Sequence, residues 1–146
     1  VTDCPFDGST PPGSVARVAG LLHELGCYEV SLGETLGRGR PEAVDAMLAA
    51  VTTAVPAELL AGHFHDSSGG ALANIDVALD RGLRVFDTSV GGLGGCPYAP
   101  GAAGNVATES VDAHLKAKGF ETGLNAQRLA EAAIFARGLR TGGETE

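Results

Sequence analysis

Apolar residues recur along this chain in two rhythms, one suited to helices and one to strands. Residues 15–25 (VARVAGLLHEL) carry them three and four positions apart, which predicts an amphipathic helix. Pro11 and Pro12 precede it, Ser14 is the expected N-cap, and Gly26 stands where a glycine ends a helix. Residues 27–32 (CYEVSL) then predict a strand closed by Gly33. Residues 41–53 (PEAVDAMLAAVTT) predict a second helix with Pro41 at its first position. Residues 59–65 predict a second strand, 70–81 a third helix and 83–90 (LRVFDTSV) a third strand. Residues 105–118 and 126–139 predict two closing helices before a polar tail.

Helix and strand therefore alternate with short connections, the mark of βαβ units and a parallel sheet. The chemically capable residues fall at or just after the strands' C-terminal ends: Glu34 and Thr35, His63 to Asp66, and Asp87 to Cys96. A (β/α)8 barrel carries its active site on that side, and a doubly wound sheet does the same. No GxGxxG follows a first strand, so a dinucleotide fold has little support. A full barrel takes about 250 residues, and only three complete strands are legible here. The opening VTDCP reads as the tail of another strand. The expected fold is α/β: residues 1–146 as the C-terminal part of a (β/α)8 TIM barrel, with its last three complete strands followed by C-terminal helices.

Composition narrows the partners. At 44% hydrophobic residues the chain is globular. Its 18 acidic against 10 basic side chains give a net charge of -8, which opposes binding to a phosphate backbone, so nucleic acid is not expected. No apolar run approaches the roughly 20 residues of a membrane span, and the first residues lack the basic-then-apolar pattern of a signal peptide. Three cysteines without CxxC or CxxH spacing argue against a disulfide scaffold or a structural zinc site. The cytoplasm is the expected compartment.

A first local signal, moderately specific taken alone, is the pair His63 and His65, one residue apart on a strand. Period-two alternation points both imidazoles to one side, where they can share an ion, while Phe64 between them points to the helices. Asp66 could orient one of them. The plainer alternative is two packed or exposed histidines. His23 and His114 lie in predicted helices without a matching partner and are expected to serve packing or face solvent.

Cys96 sits in GGLGGCPYAPGAAGN, residues 91–105. So many glycines carry an entropic cost unless the loop approaches a ligand or opens and closes. A thiol there can move a proton; Cys4 and Cys27 fit a small packed side chain better. Asn105 is a good helix N-cap, yet its side-chain carbonyl also suits a hard cation beside two imidazoles. The two readings compete for one oxygen. Glu34 is either a substrate-side carboxylate or a solvated charge. Arg38 and Arg40 could meet acyl-carrier phosphates or simply lie on the surface.

Three stretches carry a resemblance: CYEVSLGETLG, GHFHDSSGGALAN and GLGGCPYAPGAAGNVATE. Together they resemble the C-terminal part of the 3-hydroxy-3-methylglutaryl-CoA lyases, within the metal-dependent aldol-type lyases and synthases. The HxHD strand is common to that wider group, whereas GGCPYA singles out the lyase branch. The resemblance implies a Mg²⁺ or Mn²⁺ ion and cleavage of hydroxymethylglutaryl-CoA to acetyl-CoA and acetoacetate, a step of leucine degradation. It implies His63, His65 and Asn105 as metal ligands, Cys96 as the catalytic loop cysteine, and Ser31, Glu34, Thr35, Cys4 and Glu109 at the substrate. The expected partners are an acyl-CoA substrate and a second copy of the chain.

Two departures stand out. The family's GDT is Gly33-Glu34-Thr35 here, which keeps the charge but lengthens the reach. The family's first strand carries an Arg-Asp pair, and nothing in residues 1–146 matches it. The alternatives are an inactive or partner-dependent metal-binding half-barrel, or a related acyl-CoA condensing synthase.

Overall fold

The structure, a computed structural model, describes residues 1–94 and 104–141. Cys96, the expected proton carrier, lies outside them. The chain opens with a small antiparallel hairpin, β1 (Asp3–Cys4) and β2 (Gly8–Ser9). Within the opening stretch, expected as the tail of a further strand, Asp3 and Cys4 pair with Ser9 and Gly8. The Val1 side chain still packs close to Gly33 of the main sheet.

Helix α1 (Pro12–Glu24) begins one turn earlier than the apolar rhythm implied. Its N-cap is Pro11, not Ser14, because Pro12 is preset for the first helical position and the Ser14 amide already donates to Pro11 O at 2.9 Å. Its end follows the expectation: Gly26 adopts φ +91°, its amide reaches His23 O, and the Cys27 amide reaches Leu22 O. That cap consumes the Cys27 amide, so strand β3 starts later than expected, at Val30–Glu34. Next come α2 (Pro41–Val51), with Pro41 in its first turn, β4 (Leu60–Phe64), α3 (Ala71–Asp80) and β5 (Val85–Asp87). Two helices follow, α4 (Thr108–Ala117) and α5 (Ala126–Thr141).

Strands β3, β4 and β5 form one parallel sheet in that order, with α2 and α3 as the crossovers. The register pairs Gly33 with His63 and His63 with Asp87. Alternation then divides the side chains into two sets. Val30, Leu32, Leu60 and Phe64 turn toward α2 and α3 and join Val44, Met47, Leu48, Val51, Ile75 and Ala78 in one core. Burying each of the larger members stabilises the fold by about 1.5–3 kcal/mol. Ser31, Gly33, His63, Val85 and Asp87 occupy the opposite face. Ser31, Val85 and Asp87 on that face are exposed, and among the described residues no helix is long and apolar enough to cross a membrane.

Residues 105–107 do not begin a helix. Asn105 bridges to His65, Ala107 bridges to Ser89, and the Val106 amide donates to Phe64 O at 3.0 Å. This segment extends the ends of β4 and β5, and Ala107 becomes the N-cap of α4.

Candidate active site

At the C-terminal end of β4 the two imidazoles stand edge to face, their centroids 5.2 Å apart. His65 Nδ1 is hydrogen-bonded to the Thr35 backbone carbonyl. A carbonyl only accepts, so Nδ1 carries the proton and Nε2 keeps its lone pair. His63 Nδ1 lies 3.5 Å from Asp87 Oδ2, and the same carboxylate oxygen accepts the Ser31 hydroxyl at 2.6 Å.

Asn105 completes the group. As the antiparallel bridge partner of His65 it projects to the same side. Its Nδ2 donates to Leu93 O at 3.2 Å, while its Oδ1 is buried with no hydrogen-bond partner. A buried acceptor left unpaired costs about 1–3 kcal/mol. The competition set by the sequence therefore goes against the cap, since this oxygen receives no helix amide and α4 starts three residues later. Among the described residues no group of three His, Cys, Asp or Glu side chains converges for an ion. The set depends on the amide oxygen. Two imidazole nitrogens and one unpaired amide oxygen fit a divalent cation, which accepts mixed nitrogen and oxygen donors.

The remaining expected residues divide. Thr35 and Ser31 are joined to the histidines through the contacts just given. Glu34 is not. Its register partner is Phe64, so it turns to the helix side, where it is fully buried against Gly39 with Oε1 accepting the Arg38 amide at 3.3 Å. The expectation of a substrate-side or solvated carboxylate is corrected on both counts. Cys4 stays within its hairpin, its thiol 3.5 Å from Asp7 Oδ2. Asp66, expected to orient a histidine, instead accepts the first amide of α3, that of Ala71, at 3.0 Å.

Glu109 serves the base of the glycine-rich segment. Its Oε2 accepts the Gly91 amide at 3.0 Å and its Oε1 pairs with Arg137 of α5 at 2.5 Å. Burial works to raise its pKa, but the Gly91 amide, its own amide and the Arg137 guanidinium outweigh that and hold the carboxyl below its ordinary value. Just beyond, Gly104 lies so close to the Gly94 and Gly92 carbonyls that a Cβ would collide with both. Sequence reading missed two partners, Asp87 and Arg137. Asp87 had a usable signal, its place at the end of a strand in step with His63; Arg137, 28 residues from Glu109, had none.

Parallel strands joined by helices, with imidazoles and an amide oxygen gathered at the strand ends, define an α/β protein of the TIM-barrel type. Solved relatives share this fold. The HMG-CoA lyase of Brucella melitensis superposes with a TM-score of 0.94 at 57% identity, covering 96% of this chain and 50% of that one. An HMG-CoA lyase of Acinetobacter baumannii, in complex with coenzyme A and 3-methylmalate, gives 0.83 at 33% identity, covering 90% and 43%. The hydroxymethylglutaryl-CoA lyase of Pseudomonas mevalonii is 49% identical over 134 residues, 92% of this chain and 44% of that protein. The model of the HMGL-like family matches residues 2–135, and the chain belongs to that family. It spans about half the length of the curated relatives it matches.

Proposed function

We propose that this chain is the C-terminal part of a (β/α)8 barrel, and that the whole protein cleaves 3-hydroxy-3-methylglutaryl-CoA to acetyl-CoA and acetoacetate. The observation that carries the reading is the unpaired Asn105 Oδ1 beside His63 and His65. It occurs in a chain about half identical to named hydroxymethylglutaryl-CoA lyases.

His63, His65 and Asn105 would hold a Mg²⁺ or Mn²⁺ ion. Once bound, the ion supplies Lewis acidity that eases loss of the proton from the substrate's tertiary hydroxyl. The chain's own residues do the rest. The Thr35 carbonyl fixes the ring of His65, and Ser31 borders the site from β3. The reaction breaks the C2–C3 bond, and the departing acetyl-CoA enolate must gain a proton. Cys96 Sγ is the donor that the sequence offers. The family's Arg-Asp pair has no counterpart in residues 1–146, so turnover is assigned to the protein that includes that pair.

The test is Cys96→Ala in that protein, assayed for acetoacetate release, with Mn²⁺ binding followed separately. Turnover is expected to fall by about 10²–10⁴-fold while metal binding persists. Turnover near that of the unsubstituted enzyme removes Cys96 from the mechanism.

A further inference from the structure

Among the described residues, Asp87 is the carboxylate on the His63 face of the sheet that meets two of the residues grouped above. It lies in register with His63 across the β4–β5 pair. One of its oxygens does two things: it accepts a hydrogen bond from the Ser31 hydroxyl at 2.6 Å and stands 3.5 Å from His63 Nδ1. We propose that Asp87 is a positioning residue that sets the proton polarity of both neighbours. It keeps the proton of neutral His63 on Nδ1 and thereby frees Nε2 as a ligand, and it leaves the Ser31 oxygen facing the site as an acceptor only.

The chemistry is one-directional. A carboxylate accepts and does not donate, so any hydrogen bond it shares with His63 runs from Nδ1–H and one it shares with Ser31 runs from the hydroxyl. His65 reaches the same state by another route, through the Thr35 carbonyl. Without such a partner, an imidazole in water exchanges freely between its two tautomers and presents the ligating form only part of the time. Partners of this kind orient metal-binding histidines and raise their basicity. The sheet supplies the partner for His63 from β5 and the partner for His65 from the residue after β3, one from each side of β4. The two histidines thus differ in what holds them: a fixed backbone carbonyl for His65, a replaceable side chain for His63.

The consequence for ligands follows from Ser31. With its proton committed to Asp87, its oxygen meets a donor better than a carboxylate. A hydroxyl or a metal-bound water suits that position, and a carboxylate arm of the substrate does not.

This inference deepens the metal-site reading, and the experiment separates the two. Nitrogen-15 NMR of the imidazoles of the metal-free protein, at about pH 8.5 where histidine is neutral, reports which nitrogen carries each proton. The expected result is Nδ1–H for both His63 and His65 in the unsubstituted protein. In Asp87→Ala, His63 should shift toward Nε2–H while His65 stays unchanged as an internal control. Mn²⁺ affinity, read by electron paramagnetic resonance, should weaken about 10-fold, and Asp87→Glu should recover part of it. If circular dichroism shows Asp87→Ala misfolded, Asp87→Asn keeps the shape without the charge and carries the affinity comparison. Retention of Nδ1–H on His63 in Asp87→Ala overturns the proposal, as does a tautomer shift with Mn²⁺ affinity unchanged. An unsubstituted protein that binds no Mn²⁺ defeats the metal reading alone, and the tautomer comparison still decides the role of Asp87.

Discussion

Asn105→Ala separates a ligand from a structural amide, because the two roles predict opposite balances. In the metal-free protein the substitution removes the Nδ2 bond to Leu93 O, a net loss of about 0.5–1.5 kcal/mol. It also removes a buried acceptor without a partner, whose presence costs about 1–3 kcal/mol. The terms oppose, so the change in metal-free stability should lie between a loss of about 0.5 kcal/mol and a gain of about 2.5 kcal/mol. The metal response should change far more. At a concentration 100 times its Kd, an ion stabilises the unsubstituted protein by about 2.7 kcal/mol, or about 5–11 °C in Tm for a chain of this size. If losing one ligand weakens binding about 100-fold, the same concentration then contributes about 0.4 kcal/mol and under about 2 °C. Thermal unfolding followed by circular dichroism, with and without Mn²⁺, gives both numbers. A variant that keeps the full metal-induced rise, or that loses more than about 3 kcal/mol without metal, makes Asn105 a structural residue and refutes the argument.

Two further outcomes follow from the packing and the charges. Phe64→Ala should cost about 3–5 kcal/mol in urea unfolding, since the ring is 1% exposed between sheet and helices; a loss under about 1 kcal/mol would mean that β4 does not face them as described. Glu109 has a depressed pKa when folded, so the stability it contributes is present above its unfolded value, about 4.3, and is lost as pH falls through the folded value. Glu109→Gln should therefore flatten the acid limb of the stability curve relative to the unsubstituted protein; identical limbs would place the carboxyl outside the acid transition.

Much of the frame was legible because its punctuation is local. Pro41 and Gly26 act within a turn of where they stand, and the i, i+2 histidines need nothing but strand alternation. What escaped depends on register between segments far apart in the chain. Asn105 looked like a helix cap because caps are local, while its bridge to His65 spans 40 residues of sequence and consumes the backbone that a helix would need. Glu34 was misplaced for a different reason. Adjacency to Thr35 suggested the site, yet alternation alone, counted from the pairing of Gly33 with His63, sends it to the Phe64 side.

The close approach of Gly94 and Gly104 has a consequence for how this site can diversify. A side chain at position 104 would meet the Gly94 and Gly92 carbonyls, so only glycine lets the backbone pass there. Asn105 follows directly, so the same junction sets the backbone from which it keeps its register with His65. Change beside this amide is thus limited to substitutions that leave residue 104 without a side chain.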